Sequence, residues 1–251
     1  MLRLARLGDG PEIFHSLQGE GVNAGRPSVF VRTSSCNLHC VWCDTDYTWN
    51  WEGTAFPHER EAEPGFRKFR REEQVVETTV DEAAERVAFF PCRQIVLTGG
   101  EPMLQQAALV EMMTLLRQRD PAYVFEIETN GTIRPDEAFE ALAAHYNVSP
   151  KLSNSGNAEN LRLRPEALRW FAASPKAWFK FVVCVPEDVA EIEALAALIG
   201  LPPHRVLLMP EGRSAAEVES NKDLVVRLCL EKGYSFSDRL HLRLFGPGRG
   251  K

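Results

Sequence analysis

Three cysteines stand close together in the stretch SSCNLHCVWCDTDYTW, residues 34 to 49. Cys36, Cys40 and Cys43 follow a C-x3-C-x2-C spacing within eight positions, and no fourth cysteine lies nearby. Thiolates bind zinc and iron, so this spacing could hold a zinc ion or an iron–sulfur cluster. The number of ligands that each site needs decides between the two.

A zinc site is poorly matched by these residues. Structural zinc takes four ligands in a closed tetrahedron, usually from paired C-x2-C motifs, and only one such pair is complete here. His39 could serve as a fourth ligand, but it is adjacent to Cys40 and would have difficulty closing the same tetrahedron. Catalytic zinc is more often held by histidines and carboxylates, and none are spaced for it. An iron–sulfur cluster fits better, because three thiolates leave one iron open for a small molecule.

Other polar motifs follow apolar runs further along the chain. LTGGEP, residues 97 to 102, has two glycines that allow a ligand close to the backbone, and Glu101 can accept a hydrogen bond from an ammonium group. On its own, an ordinary strand-to-helix turn explains this motif equally well. ETNGT, residues 128 to 132, and SPK, residues 149 to 151, also end apolar runs with polar groups, and turn formation adequately explains the Asn-Gly pair.

The elements that must position these motifs alternate between strands and helices. β-branched and apolar runs predict strands at residues 28–33, 94–98, 123–128, 146–149, 178–183, 205–209 and 240–244. Amphipathic runs predict helices near residues 80–90, 103–118, 135–144, 164–173, 186–198 and 214–232. Thr79 and Glu82 have the spacing of a capping box at the start of the first helix, and Pro135 is placed near the first turn of the third.

This alternation predicts the α/β class. We expect about six parallel strands with helical crossovers, arranged as a partial (β/α) barrel. Ligands of such folds bind at the C-terminal ends of the strands. The cysteine loop follows the first predicted strand, and LTGGEP, ETNGT and SPK follow the next three, so the rule locates the chemistry there.

Composition limits the class of protein. The 251 residues are 44% hydrophobic and 25% charged, which predicts a single domain over residues 1–251. A net charge of −6 argues against a nucleic-acid surface and favours a small-molecule substrate. Without a long apolar run or a signal peptide, the chain is expected to be cytoplasmic and not bound to a membrane. Six cysteines in that reducing compartment should not form disulfides, and Cys92, Cys184 and Cys229 are interpreted as small buried hydrophobes.

Residues 50–74 do not fit the alternation. The segment is charged, weakly periodic and interrupted by Pro57 and Pro64. A solvated insertion is the expected explanation, although a segment that follows the cysteine loop directly could also act as a lid.

The cysteine spacing together with GGEP resembles the radical S-adenosylmethionine superfamily. In that superfamily three cysteines hold a [4Fe–4S] cluster, the fourth iron binds S-adenosylmethionine, and an electron from the cluster generates a 5′-deoxyadenosyl radical. The resemblance implies that Cys36, Cys40 and Cys43 are the cluster ligands. It places the cofactor contacts on the three later motifs, at Gly99, Gly100, Glu101, Glu128, Asn130, Ser149 and Lys151.

A longer set of motifs resembles the 7-carboxy-7-deazaguanine synthase family. It covers the chain except residues 50–74 and comprises EIFHSLQGEGVNAGRPSVFVRTSSCNLHC, CDTDYTW, LTGGEPMLQ, EIETNGT, SPK, FKFVV, LLMPEG and RLHLRLFGPGRG. The resemblance implies a modified radical S-adenosylmethionine core that contracts 6-carboxy-5,6,7,8-tetrahydropterin to 7-carboxy-7-deazaguanine with loss of ammonia, in 7-deazapurine and queuosine biosynthesis. It further implies a homodimer and a flavodoxin-type reductant.

The residue chemistry agrees with a pterin substrate. A pterin presents a guanidine-like donor edge and a carboxylate, which suit a carboxylate, an amide and a basic side chain in the protein. Gln18, Glu20 and Arg32 are of these types and are expected at the mouth of the barrel, near the cluster. The resemblance adds Thr98 and His241 to the substrate site. His241 lies on the last predicted strand, where burial without a function is a serious alternative.

The resemblance also implies a Mg²⁺ ion beside the cluster, held in part by Thr45. Mg²⁺ takes few protein ligands and completes its octahedron with water and substrate oxygens. From spacing alone, we would expect Asp44 and Asp46 to cap or solubilise the loop and Thr45 to hydrogen-bond the backbone.

Two other functions are compatible with the cysteine motif. A radical activase that acts on a partner protein would share the cysteine and GGEP motifs, but it has no need for the QGEG motif. A zinc-stabilised binding module would be colourless, whereas a cluster gives a brown protein with broad absorbance that is lost in air.

Overall fold

Eleven strands form one sheet in the computed structural model, which describes residues 1–251. The strands are β1 (Leu2–Leu7), β2 (Gly10–Pro11), β3 (Ile13–Leu17), β4 (Pro27–Thr33), β5 (Val75–Thr78), β6 (Gln94–Gly99), β7 (Val124–Thr129), β8 (Ala143–Val148), β9 (Ala177–Val183), β10 (Val206–Pro210) and β11 (Ser235–Phe236). The α-helices are α1 (Arg71–Gln74), α2 (Val80–Ala88), α3 (Gln106–Arg119), α4 (Glu137–Leu142), α5 (Glu159–Arg162), α6 (Pro165–Ala173), α7 (Asp188–Ile199), α8 (Ala215–Lys232) and α9 (Leu240–Phe245).

The sheet has a parallel part and an antiparallel part. Its order is β11-β10-β9-β8-β7-β6-β4-β1-β2, with β3 on β4 and β5 on β1. Strands β4, β6, β7, β8, β9 and β10 are parallel neighbours, and the short β11 extends them. The N-terminal strands pair antiparallel. The prediction of about six parallel strands is therefore confirmed, and because β11 and β2 do not pair with each other, the barrel stays open.

Side chains of the parallel strands point alternately to the two faces of the sheet, so one face packs in the core and the other lines the site. On β9, Phe179 is part of the hydrophobic core, and the next residue, Lys180, points to the opposite face. The strand register places Arg32 of β4 beside Thr98 of β6, and Glu128 of β7 on the same face. Helices cover the apolar face, so the polar side chains are left to line the other face.

Local signals explain where the major helices begin. The capping box at the start of α2 is confirmed, because Thr79 accepts from the backbone N–H of Glu82 and the Glu82 side chain accepts from the N–H of Thr79. For α4 the prediction was slightly wrong. Asp136 is its N-cap and accepts from the Phe139 N–H, so Pro135 precedes the helix instead of lying in its first turn.

The last predicted strand is wrong: residues 240–245 form helix α9. Alternating leucines suggested a strand, but only Leu242 is buried, whereas Leu244 and Phe245 are largely exposed. After β11 the chain leaves the sheet edge, and the Leu240 N–H donates to the carbonyl of Gly19 at 2.9 Å. This long-range contact satisfies one of the N–H groups at the start of the helix, which have no partner within it.

Residues 50–74 are largely exposed, but part of the segment packs against the cysteine loop. The segment is closed at its base by a bridge between Trp51 and Phe69, and many of its acidic residues are exposed. His58 is nevertheless only 4% exposed, and Phe56 stacks on His39 of the cysteine loop. The segment thus lies against the cysteine loop. None of the helices in the structure is both long and apolar enough to cross a bilayer.

Candidate active site

A cavity of about 220 Å³ lies at the C-terminal ends of the parallel strands. It brings together the predicted site residues, with Glu101 the exception. Those that line it are Gln18, Glu20, Arg32, Cys36, Cys40, Cys43, Thr45, Thr98, Gly99, Gly100, Glu128, Asn130, Ser149, Lys151 and His241. The cavity therefore lies where the strand-end rule places ligands.

The three clustered thiols share one wall of this cavity. Cys36 Sγ accepts from the backbone N–H two residues on, at 3.4 Å, and Cys40 Sγ accepts from Asn157 Nδ2 at 3.4 Å. Burial raises the pKa of Cys40, and burial together with the nearby charge of Asp44 raises the pKa of Cys43 to about 12. The free thiols are therefore protonated at neutral pH, and metal binding must displace their protons.

The arrangement of donors favours a cluster over a single ion. No three His, Cys, Asp or Glu side chains converge closely enough to share one metal ion. In a cubane each thiolate binds a different iron, so the three sulfurs need only surround a common space. His39 does not line the cavity, because its ring stacks on Phe56 with a centroid separation of 3.4 Å. The donor set therefore fits a [4Fe–4S] cluster.

The GGEP turn packs directly against the cysteine loop. A Cβ on Gly100 would lie 2.2 Å from the carbonyl oxygen of Ser35 and 3.0 Å from the Cβ of Cys36. The N–H of Glu101 donates to that same Ser35 oxygen at 2.9 Å. Gly100 is therefore required for contact between two protein loops, in addition to any approach by a ligand.

Glu101 lies behind the cavity wall and is completely buried. Its carboxylate accepts from the backbone N–H groups of Met103 (3.0 Å) and Asn130 (2.7 Å) and from Thr129 Oγ1 (2.9 Å). Burial raises its pKa to about 6 despite these three bonds. An ionised carboxylate accepts about four hydrogen bonds, and the protein itself supplies three of them here.

The turns after β7 and β8 also face the cysteine loop. Asn130 Nδ2 donates to Asn37 Oδ1 at 2.9 Å, which joins the TNG turn to the cysteine loop. Lys151 Nζ donates to Ser149 Oγ at 3.0 Å, and lies 5.6 Å from the ring centroid of Trp42. The cavity wall is in this way built from loops that contact one another.

A group of paired and mostly buried charges lines another part of the cavity, here called its charged end. Glu20 pairs with Lys180 Nζ at 2.5 Å and with Arg239 Nε at 3.1 Å, and Arg239 also pairs with Asp44. Lys180 Nζ reaches Glu128 at 3.1 Å as well. Burial alone would raise the pKa of Glu20, but the charges of Lys180 and Arg239 lower it well below its usual range. Glu20 is therefore ionised at neutral pH.

Gln18 forms hydrogen bonds with residues at this charged end. Its Nε2 donates to Glu126 and, at 3.2 Å, to Glu128, while its Oε1 accepts from the Glu20 N–H at 3.3 Å. Both ends of the amide are thus engaged by the protein. Gln18 lines the cavity and also fixes the backbone of Glu20.

Two further predicted residues, Arg32 and His241, make close contacts within the protein. Arg32 Nε pairs with the fully buried Glu12 at 2.9 Å. His241 lies on α9 instead of a strand, and a Cβ on Gly19 would come within 2.1 Å of its Nδ1. Only glycine at position 19 lets this imidazole approach the QGEG turn.

The hydroxyl of Thr45 is the side-chain oxygen of its loop that remains available to a metal ion. Its Oγ1 lies 3.6 Å from Cys43 Sγ and lines the cavity. Asp44 is paired with Arg239, and buried Asp46 accepts from Asn50 at 3.2 Å. The neighbouring carboxylates are therefore occupied by protein partners.

Residues 30–153 match the Radical SAM superfamily. The chain is 36% identical over 242 residues to 7-carboxy-7-deazaguanine synthase of Pyrobaculum aerophilum, covering 96% of each chain. It is 36% identical to the Halobacterium salinarum enzyme of the same name, covering 95% of this chain and 92% of the other. The chain belongs to the 7-carboxy-7-deazaguanine synthase family. A crystal structure of QueE from Escherichia coli superposes with a TM-score of 0.63 at 23% identity, covering 95% of both chains, so the fold is shared.

As a member of this radical SAM synthase family, the chain uses a [4Fe–4S] cluster and S-adenosylmethionine. The cavity suits both. One wall holds three thiols, and the adjoining turns contain glycines, amides and hydroxyls from the ends of β6, β7 and β8.

Two cations that line the cavity and pair with Glu20, namely Lys180 and Arg239, were not predicted from the sequence. Lys180 is 4% exposed, and its signal was a single charge in the apolar run WFKFVV, because a buried charge requires a partner. Arg239 is 8% exposed and gave no such signal, since it stands in the polar stretch SDR just before the predicted strand 240–244.

Proposed function

We propose that the chain contracts 6-carboxy-5,6,7,8-tetrahydropterin to 7-carboxy-7-deazaguanine with loss of ammonia, in the biosynthesis of 7-deazapurines such as queuosine. One observation carries this proposal: a single cavity joins the three thiols to a buried, charged recognition end in a member of the synthase family. When bound, the cluster and S-adenosylmethionine supply the radical chemistry that starts the rearrangement. The protein binds the substrate, orients it and excludes water.

The roles of the residues follow from their chemistry. Cys36, Cys40 and Cys43 hold the cluster. The cofactor is bound by the adjoining strand ends, and the pterin by the charged end of the cavity together with Arg32, Thr98 and His241. Glu20 accepts from the guanidine-like edge of the pterin, and Arg32 pairs with a carboxylate. Residues 1–251 act as one radical SAM domain with an insertion at about 50–74, in a homodimer that receives electrons from a flavodoxin-type protein.

An anaerobic assay tests this function. Reconstituted protein is mixed with the tetrahydropterin, S-adenosylmethionine and dithionite, and the product is identified by mass. We expect 7-carboxy-7-deazaguanine only when all components are present. Cluster-loaded protein that cleaves S-adenosylmethionine but leaves the pterin intact would instead favour an activase. A colourless, zinc-loaded protein would favour the binding module.

Glu101 should make cofactor binding depend on pH. An ionised Glu101 would accept from the ammonium of S-adenosylmethionine, and its pKa is raised to about 6, so protonation below that pH should weaken binding. From this pKa the affinity at pH 5.5 should be about fourfold lower than at pH 7.5. Equilibrium binding is measured anaerobically, with cluster absorbance checked at each pH. Glu101→Gln should bind weakly with a flat pH profile, and equal affinity of the unaltered protein at both pH values would contradict the role.

Thr45 is proposed to hold Mg²⁺ beside the substrate. Its hydroxyl lines the cavity, and Mg²⁺ keeps several waters and uses few protein ligands. Thr45→Ala should lower turnover about tenfold or more and shift its Mg²⁺ dependence, with cluster content unchanged. Thr45→Ser, which keeps the hydroxyl, is the matched control. Identical turnover with Mg²⁺ or with a chelator that spares the cluster would exclude this ion.

A further inference from the structure

Residues 54–69, here called the strap, cross the outside of the cysteine loop. The strap contacts three alternate positions of that loop. The ring of Phe56 stacks on His39, and the N–H of Glu59 donates to the carbonyl of Val41 at 2.9 Å. His58 Nε2 lies 2.8 Å from the carbonyl oxygen of Cys43. Each contact is made to a cysteine or to a residue beside or between cysteines.

The hydrogen bonds of His58 define its tautomer. Its Nδ1 lies 3.2 Å from the backbone N–H of Arg60, which can only donate, so Nδ1 is the acceptor. Nε2 therefore carries the proton and donates to the Cys43 carbonyl. The side chain is completely buried, so water cannot substitute for either partner.

The strap is anchored at its base and along its length. Lys68 Nζ donates to the carbonyls of Thr54 and Phe56 at 2.8 and 2.7 Å, which closes the strap on itself. Arg60 reaches Asp46, just beyond the last cysteine, at 3.4 Å. The strap can therefore act as a fixed support for the loop.

The cysteine loop has little internal support. Between the first and third cysteines, the only backbone bond within the loop runs from the Cys43 N–H to the Cys40 carbonyl at 3.1 Å. On its other side, the N–H of His39 donates to Asn157 and that of Val41 to Ser155. The loop is thus clamped between residues 155–157 and the strap.

We propose that the strap preorders the cysteine loop for cluster assembly, with His58 as its positioning residue. This inference rests on the proposed role of the three cysteines as cluster ligands. A loop that is ordered before iron arrives avoids the entropy loss that cluster binding would otherwise cause. The same contacts should slow the departure of the cluster once it is bound.

Two substitutions separate the two bonds of His58. Asn in His58→Asn can still accept from the Arg60 N–H, as an N-cap residue does, but it is too short to reach the Cys43 carbonyl. Gln in His58→Gln can bring an amide N–H to the position of Nε2. Phe56→Ala removes the stacking on His39 at a ring that is already 41% exposed, so the fold should tolerate it. Arg67→Ala, at an exposed strap residue, is the control.

The first measurement uses cluster-free protein. Iodoacetamide labelling of each cysteine is followed by peptide mass spectrometry under anaerobic, reducing conditions. His58→Asn should label Cys40 and Cys43 about three- to tenfold faster than the unaltered protein, the scale of one lost hydrogen bond. Phe56→Ala should also accelerate labelling of Cys40. Labelling of Cys229 should not change, and His58→Gln and Arg67→Ala should behave as the unaltered protein.

The second measurement follows iron loss from reconstituted protein to a chelator. It should be faster in His58→Asn and Phe56→Ala than in Arg67→Ala. Unchanged labelling and unchanged iron loss in both strap variants would overturn the proposal for the strap. If Cys40→Ala kept a full cluster, the ligand assignment beneath the proposed function would fail instead, so the two failures can be distinguished.

Discussion

Alanine at Cys36, Cys40 or Cys43 is expected to abolish cluster binding and all turnover. Three thiolates are the fewest that hold a cubane while leaving one iron for the cofactor, so each single loss removes an essential ligand. All three thiols line the same cavity. Each variant is reconstituted anaerobically, and its iron, sulfide and product are measured.

The remaining cysteines provide the matched control. Cys92, Cys184 and Cys229 do not line the cavity, so their alanine variants should keep full iron and sulfide content. Burial raises the pKa of Cys184 and Cys229, which makes both weak nucleophiles at neutral pH. A full cluster in the Cys40→Ala protein would remove the ligand assignment.

Loss of Glu20 or Arg32 should weaken substrate binding with the cluster intact. A charge-assisted hydrogen bond contributes roughly 1.5–3 kcal/mol, so Glu20→Ala and Arg32→Ala should each lower pterin affinity about tenfold to a hundredfold. Lys180 and Arg239 keep the pKa of Glu20 low against the effect of burial, so this loss should not vary between pH 6 and 8. Affinity is measured by anaerobic titration calorimetry.

The contacts of Arg32 within the protein allow its substitution, and an exposed ion pair supplies the control variants. Arg32→Ala leaves buried Glu12 with Tyr47 and Arg249 as partners, at 3.1 and 2.9 Å, so the fold should survive. The exposed pair of Arg70 and Glu72 offers substitutions of the same charge types away from the cavity. Pterin affinity equal to that of the Arg70→Ala and Glu72→Ala controls would defeat both assignments.

Most of the fold was predictable because its signals are local. Periodicity located the six parallel strands, and Thr79 with Glu82 marked the start of α2. The strands β1, β2, β3, β5 and β11 were not predicted, and β2, β5 and β11 have four residues or fewer. Residues 240–244 had a strand-like pattern, but they lie in a helix whose first N–H donates to the distant carbonyl of Gly19.

The site, like the fold, was predictable from the sequence only where its signals are local. The cysteine spacing and the order of the motifs determined its chemistry and its place at the strand ends, because both are properties of consecutive residues. Only the tertiary structure decided how the charges pair: Lys180 meets Glu20 across 160 positions, and Arg239 meets Asp44 across 195. It also decided that Glu101 lies behind the cavity wall and that His58 supports the cysteine loop. Such pairings depend on how distant segments pack, and no local periodicity or propensity encodes them.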